Sequence, residues 1–498
     1  MKIQFRSHSF IFTLIYFIFL NSLSAQVELE MVHSFGDNEH DLCYASEIDT
    51  YGNIYMVGAF NGTVDFDPGP GVFELVAVSD DGEPDVFILK LDSSGNFVWV
   101  AALSGIAADY GDAIGLDASG NVYTGGRFTH TVDFDPGPEV YNLDGGLGSS
   151  FIQKLTNDGE FLWAVPINMS LWAMDVDPLG NVVGSGYGYS DIVKYDANGN
   201  LLWSKNFAAE FYQSAAAHID KFGNVWITGS YSNTLDFDLG AGTAFLTSTG
   251  SKDYFILKLN SAGDYVWAGS YGAPASEDTP DEGLTSDDDG NIYVGGDFIF
   301  TVDFDPGIGV ANKTALESND AYLLKLNNDG VFQWVKTLAG TFLEHVFDID
   351  IDDENSIYIA GGFTYTTDFD PGPGIYNLTA HGDIGAKDVY VLRLDADGNF
   401  VWVAAFGGVE QDYGYGINVE DDGDVIISGN IVGPVDMDPG ADAIFALGEG
   451  GYDIFVEKLG QTVCADLTIV FDEVTNAACG DPGTGEGHAI SGFAPYEY

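Results

Sequence analysis

Positive charge is what this chain has least of. Only 16 lysines and arginines stand against 77 aspartates and glutamates, a formal net charge of −61 over 498 residues. An excess of that sign repels a phosphate backbone and excludes nucleic acid as a partner. Cysteine is nearly absent, at three residues, so a disulfide framework is not what holds the chain together. No apolar run approaches the roughly 20 residues that a membrane-spanning helix needs. Gly-x-Ser-x-Gly, His-Glu-x-x-His, Cys-x-x-Cys, a phosphate-binding glycine loop and a dinucleotide fingerprint are all missing. Beyond Arg6 there are only Arg127 and Arg393, too few for an arginine triad on a substrate carboxylate. The histidines that follow the leader, His33, His40, His130, His218, His345, His381 and His488, form no ligand-spaced cluster.

What is present argues for a folded core. Such acidity usually accompanies disorder, but 46% hydrophobic and 14% aromatic residues supply ample apolar surface to bury. The 64 glycines point to many tight turns. Lys2 and Arg6 precede the apolar run Phe10 to Leu20, and Asn21 to Ala25 form a short small-residue exit. Residues 1–25 therefore predict a secretory signal peptide cut before Gln26, and a secreted or cell-surface location.

The remainder repeats. An Asp-x-x-Gly-Asn turn followed by an alternating strand recurs at Gly52, Gly120, Gly180, Gly223 and Gly290, with degenerate copies at Asn355 and Gly423. The clearest copy is Asp117-Ala-Ser-Gly120-Asn121-Val-Tyr123-Thr-Gly125-Gly126. Each copy continues into an apolar run such as Asp85-Val-Phe-Ile-Leu-Lys90-Leu91, then a second turn and a closing strand with Trp99, Trp163, Trp203, Trp267, Trp334 or Trp402. Four short antiparallel strands with no helical spacing match one blade of a β-propeller, whose period is roughly 40 to 45 residues. The seventh copy runs out at Lys458-Leu459 without its Trp strand, while an orphan strand, Leu29 to Ser34, precedes the first turn with Met31 in the Trp402 place. One missing strand and one spare strand predict a closed ring instead of an open solenoid.

The predicted fold class is all-β. A seven-bladed β-propeller spans 26–460, closed by the N-terminal strand, and 461–498 form an incomplete immunoglobulin-like β-sandwich repeat. Residues 26–460 resemble the secreted bacterial β-propeller repeat family, SBBP. The motifs that carry the likeness are Asp117-x-x-Gly120-Asn121-x-Tyr123-x-x-Gly126 and Asp253-Tyr-Phe-Ile-Leu-Lys258-Leu-x-x-x-Gly263-x-x-x-Trp267 with their copies. The resemblance implies an exported or surface protein of Bacteroidota-like secretion context with no established chemistry. From Gly485 to Tyr498 the sequence resembles the opening of the immunoglobulin-like repeats of large bacterial surface adhesins, which implies a longer surface protein. Cys43 lies in a predicted inner strand as a buried free thiol. Cys464 and Cys479 are candidates for a disulfide in an oxidising compartment.

Six copies insert a second motif between strands two and three: Asp65-Phe-Asp67, Asp133-Phe-Asp135, Asp236-Phe-Asp238, Asp303-Phe-Asp305, Asp368-Phe-Asp370 and Asp436-Met-Asp438, nearly all followed by Pro-Gly. These insertions are expected on the face of the disc that carries the blade-to-blade linkers, together with acidic loops such as Ser276 to Glu282. Two interpretations are open. The paired carboxylates supply part of a calcium shell, or they cap backbone amides of a Pro-Gly type II turn. A second recurrence places Lys90, Lys154, Lys194, Lys258, Lys325, Arg393 and Lys458 at one position of the third strand, where pairing with an adjoining Asp or carbonyl is expected to hold register. The functional expectation is a non-enzymatic scaffold or adhesion module that binds a glycan, a protein or divalent cations through its acidic loop face. The alternative is a carbohydrate-active hydrolase or lyase using carboxylates of that face.

Overall fold

The computed structural model of the protein describes residues 26–462 apart from 79–81, 188–190, 208–211, 274–282, 317, 383–384 and 441–442, and in the tail 469–471 and 487–489. The leader, the Ser276 to Glu282 loop, Cys464, Cys479 and most of the tail lie outside the described residues. Contacts divide the chain into Val27–Gln461 and a second unit of the remaining ends. In that second unit Ile469–Phe471 pairs antiparallel with Gly487–Ala489. Among the described residues there is no helix, so none is long and apolar enough to cross a membrane.

Val27–Gln461 is a seven-bladed β-propeller. The first blade runs Leu42–Ile48, Ile54–Phe60, Asp85–Leu91 and Phe97–Leu103, in that order from axis to rim. Five more blades repeat the pattern. The seventh contains Tyr413–Val419, Val425–Asp436 and Phe445–Thr462, and its outermost strand is Gln26–Phe35 from the other end of the chain. Met31 stands where the sequence placed it. A Cβ added to Gly95 would meet the Met31 sulfur at 2.1 Å, just as Gly159, Gly199, Gly263, Gly330 and Gly398 lie against Trp99, Trp163, Trp203, Trp267 and Trp334. Closure costs one hydrogen bond. Trp99, Trp163 and Trp203 donate their indole N–H to carbonyls of the next blade's turn, at Asn157, Ala197 and Ser261. The seventh blade has no such turn, because its last two strands are not consecutive in the chain, and buried Trp402 Nε1 is left without an acceptor.

The Asp of each inner turn organises it. Asp117 Oδ1 accepts the Ser119 and Asn121 amides, and its Oδ2 accepts the Asn121 side chain and the Tyr123 hydroxyl. Gly120 follows with φ of 74°, and in the degenerate copy Asn355 adopts the same left-handed conformation at 61°. The third-strand cations find acids and carbonyls of the expected kind, but mostly in turns, several of them in the next blade, instead of on an adjoining strand. Lys90 and Lys258 donate to the carbonyls of Asn157 and Asn328 in the next blade, and Lys154 bridges Ala197 O and Asp117 Oδ2. Lys458 pairs with Glu420, Asp424 and Glu30, joining the closing strand to its blade. Most of these cations also lie over an aromatic ring, as Lys154 does over Tyr123 at 4.6 Å.

The insertion hairpins correct the sequence expectation. They leave the blade on the linker face, where Gly105 N donates to Asp85 and where Gly272 bridges Asp303 and Gly407 bridges Asp436. They then fold down the flank of the disc. Asp135 to Pro138 lie between Trp99 to Ala101 of the preceding blade and Asp158 to Phe161 of their own. Phe66, Phe134, Phe237, Phe304, Phe369 and Met437 are fully buried wedges. Phe304 packs on Tyr271 and Phe237 on Phe207, each across a blade boundary, and Phe66 packs on Phe35 of the closing strand. The reason is burial: the outer strands of neighbouring blades diverge toward the rim, and an apolar wedge fills the gap. The third blade has no wedge, and its outer strand exposes Leu201 at 54%, where Phe97, Phe161 and Tyr265 of wedged blades are half-buried.

Candidate functional site

The twelve loop aspartates sit on the flank, one pair per hairpin. Asp65 Oδ1 accepts the amides of Asp67 and Phe73, and Asp67 Oδ1 accepts that of Gly69. The same bonds recur for Asp133 and Asp135, Asp236 and Asp238, Asp303 and Asp305, Asp368 and Asp370, and Asp436 and Asp438. The turn is not type II, since none of Gly69, Gly137, Gly240, Gly307, Gly372 or Gly440 has positive φ. Side-chain capping, not the Pro-Gly dipeptide, sets its shape. Each pair is brought together, but pairs from different hairpins are not. Among the described residues the one cluster of three carboxylates with converging oxygens is Glu420, Asp422 and Asp424, and Lys458 already sits on two of its members.

A different set of residues converges on the axis. The inner strands surround a cavity of about 390 Å³. Counting two residues back from each turn Asp, or Glu420, gives Glu47, Gly115, Asp175, His218, Thr285, Asp350 and Asn418, and all but Gly115 line that cavity, with Asp348 beside them. Asp175 accepts the Val176 and Ile219 amides and the His218 imidazole. Asp348 and Asp350 reach across to the seventh blade and accept the Ile417 and Val419 amides. Burial opposes ionisation of all of them. For Asp175 the His218 ring and the two amides outweigh it and hold the carboxyl below the ordinary range. Burial pushes Asp348 up to about 7 and Asp350 up to about 6. Glu47 is held well above its usual value, first by burial and then by the charges of Asp350, Asp175 and Asp348.

The mouth of this channel is aromatic, and the repeat motif explains why. In six inner strands the register slips by one residue, with Tyr44, Asp112, Trp172, Ala215, Phe347 and Tyr415 at the step. A β-bulge re-aims the side chain it frees. A glycine faces five of these bulges, as the last residue of Tyr-x-x-Gly at Gly58, Gly126 and Gly361 and after Val183 and Ile426 in the tyrosine place at Gly186 and Gly429. A Cβ at Gly58, Gly126, Gly186, Gly361 or Gly429 would meet the opposing carbonyl at 1.7 to 2.0 Å, so only glycine permits the close approach. Of the residues at these steps, Tyr44, Trp172, Phe347 and Tyr415 line the cavity entrance. Around them Tyr413 and Tyr415 stack at 5.4 Å with 4° between ring planes, Phe347 packs on both, and Tyr452 flanks Tyr413. Opposite, Arg127 pairs with Asp112 and lies over Tyr110 and Trp172. Trp172 is 52% exposed. A second cavity of about 490 Å³ opens beside the mouth, between Tyr44, Tyr110, Tyr413, Tyr415 and Tyr452.

Sequence reasoning missed these residues because it looked for what recurs. The scaffold recurs, whereas the positions two and five residues before the turn Asp vary from blade to blade. Aligning the copies on that Asp and asking where chemistry varies on a constant frame is the signal that finds them.

No family model matches the chain. An uncharacterised WD repeat-containing protein of Acanthamoeba polyphaga mimivirus is 24% identical over 500 residues, matching 86% of this chain. The chain spans about a third of that relative, 32% of its length. Among solved structures, Sqt1 from Chaetomium thermophilum is similar with a TM-score of 0.43 at 11% identity, over 88% of this chain and 100% of that one. BamB from Moraxella catarrhalis is similar with a TM-score of 0.36 at 11% identity, over 87% and 100%. At such scores neither likeness says what this chain binds.

Proposed function

We propose that the protein is a secreted or cell-surface, non-enzymatic adhesion scaffold that binds a glycan at the axial mouth of its linker face. The observation that carries this is the set of bulge residues Tyr44, Trp172, Phe347 and Tyr415, of which Trp172 is exposed and the others half-buried, gathered at a cavity lined by carboxylates, an amide and an imidazole. Flat aromatic walls with a few convergent polar groups suit a sugar, whose ring faces are apolar and whose edge is hydroxylated. The export leader at 1–25, the SBBP-type repeats and the adhesin-like segment at 461–498 support a surface role within a longer protein. The loop aspartates take part as turn caps in this proposal, with calcium absent from them.

A hydrolase is the second reading. It is favoured by carboxylates of opposite tendency in one cavity, Glu47 held toward its protonated form and Asp175 toward its ionised form, as acid and partner are in two-carboxylate glycoside hydrolysis. A glycan array combined with hydrolysis assays on the bound sugars separates the two. Binding that is lost in Trp172→Ala without turnover supports the scaffold. Turnover abolished by Glu47→Gln supports the hydrolase, and no binding by any glycan refutes both.

A further inference from the structure

The charge of the axial cavity selects among glycans, and this step rests on the proposal that a glycan enters at the mouth. Glu47, Asp175, Asp348 and Asp350 line the cavity, and no lysine or arginine does. The nearby cations stay at the rim, on partners of their own. Arg127 is held by Asp112 and by the Tyr110 and Trp172 rings, and Lys387 lies over Phe347 and Tyr413 at the rim. His218 is engaged on both ring nitrogens, by Asp175 at 3.0 Å and by the Ser286 hydroxyl at 2.8 Å. Several carboxylates in a partly enclosed, poorly solvated space with one imidazole among them leave a deficit of positive charge, and Coulomb attraction in such a space is several times that in bulk water. An anionic sugar is therefore rejected.

Two kinds of cation remain, a metal ion and an organic ammonium. Calcium needs six to eight oxygens at roughly 2.3 to 2.6 Å. Asp175, Asp348 and Asp350 each already accept two strand amides, including the Ile219, Ile417 and Val419 amides across blade boundaries. Their lone pairs are largely used, and among the described residues no three of the cavity carboxylates bring ligand oxygens together. An ammonium asks for less: up to three acceptors near 2.8 Å, and aromatic walls that themselves attract a cation. Between a lysine side chain and an amino sugar, the mouth favours the sugar. Trp172, 52% exposed, offers a broad ring face that a pyranose covers and a four-carbon stem leaves bare.

We propose that the axial cavity binds a glycan through a free amino group, an amino sugar whose ammonium enters between Glu47 and Asp350 while its ring rests on Trp172 or Tyr415.

Calorimetric titration of the full chain at neutral pH and physiological salt tests this with four probes: a β-1,4-linked glucosamine tetramer, the same tetramer fully N-acetylated, a pentalysine peptide and calcium chloride. The glucosamine tetramer is expected to bind at least about tenfold more tightly than its N-acetylated form. Glu47 is held toward its protonated form in the free protein, so an ammonium beside it displaces that proton to the buffer; Glu47→Gln, an isosteric change that leaves nothing to ionise, is expected to abolish both the preference and the proton release. Trp172→Ala at an exposed position is expected to weaken both sugars. Equal binding of the two tetramers overturns the ammonium inference and leaves the glycan site standing. Binding of neither overturns the glycan site itself. Pentalysine binding more tightly than the amino sugar, with loss in Glu47→Gln, assigns the cavity to a protein side chain and overturns the sugar. Calcium binding lost in Glu47→Gln overturns the choice against a metal. Amino-sugar binding that Glu47→Gln does not change assigns the affinity to the general surface charge and overturns the site.

Discussion

Replacing Glu457 with glutamine is expected to make the protein more stable, and only where the pH is high enough to matter. Glu457 lies in the third strand of the last blade at 0% exposure, and both of its carboxylate oxygens lack a hydrogen-bond partner. Burial, reinforced by the charge of Asp438, holds it well above its usual value. In the folded state it therefore carries a proton that the unfolded chain, with a Glu value near 4.3, has released at neutral pH. Retaining that proton at pH 7 costs up to about 3 to 4 kcal/mol, at 1.36 kcal/mol per unit of pH above the unfolded value. The sign follows. A carboxyl with a raised folded value contributes fully below about pH 4, and the contribution is lost as pH rises toward the folded value. The second blade shows what the position prefers when polar: Gln153 occupies the same register and donates its amide to the Phe134 carbonyl at 2.6 Å. Four other blades place leucine there, Leu89, Leu257, Leu324 and Leu392. At about 2.1 cal/mol/K per residue, a propeller of this length converts the gain into a rise of about 3 to 4 °C in Tm. Differential scanning calorimetry of Glu457→Gln and Glu457→Leu at pH 4.5 and pH 8 reads it. A gain of equal size at both pH values, or a loss at pH 8, refutes the reasoning.

Four further outcomes follow from the same structure. Wild-type Tm should fall between pH 5 and pH 8, because burial raises Asp41, Asp320, Asp350 and Asp412 to about 6, Asp109 and Asp348 to about 7 and Glu344 to about 8; a Tm that rises over that interval contradicts it. Phe304→Ala, removing one flank wedge, should cost about 3 to 5 kcal/mol in denaturant unfolding, and a cost under 1 kcal/mol would show that the wedge is not what joins the blades. Lys258→Met should lower stability by about 1.5 to 3 kcal/mol, since its ammonium holds the Asn328 carbonyl of the next blade; no loss would dismiss the register role. Asp305→Ala should cost about 1 kcal/mol through the lost Gly307 cap, whereas a chelator should leave Tm unchanged, and a chelator-induced drop restores calcium to these loops.

The blades were legible because each is forced by local chemistry. Asp-x-x-Gly-Asn makes one turn, the lysine and tryptophan positions mark the third and fourth strands, and the count of strands at the two chain ends reveals closure. Even the Met31 place could be read, since it substitutes for one tryptophan in an otherwise constant register. The destination of the hairpins could not. An insertion between strands two and three leaves at the linker face in any propeller, but whether it stands up or folds over depends on where its apolar residue finds burial. For Phe304 that partner is Tyr271, 33 positions away in another blade, which no local pattern encodes. The mouth was half legible. Tyr-x-x-Gly was visible as a motif, yet its meaning, a glycine that lets the neighbouring strand bulge and turn Tyr44 outward, emerges only when the two strands are paired.

The acid excess itself has two separate causes, and they predict different behaviour toward salt. Most aspartates of the repeats are spent within the fold. They terminate turns, as Asp117 does, close the flank hairpins, as Asp65 does, or bridge inner strands, as Asp350 does, and in each case a carboxylate accepts amides that a strand end leaves open. These bonds are short-range and little screened. The surface acids outside such roles act at long range and are screened within about 10 Å at 0.1 M salt. Among the cavity groups Glu47 differs from Asp175, Asp348 and Asp350: it accepts the amide of its neighbour Ile48, and the charges acting on it are the carboxylates of Asp350, Asp175 and Asp348. The fold thus sets Glu47, its pKa raised by burial and by its acidic neighbours, at a cavity with aromatic walls. Its effect on a ligand should therefore persist at salt concentrations that erase attraction to the rest of the surface.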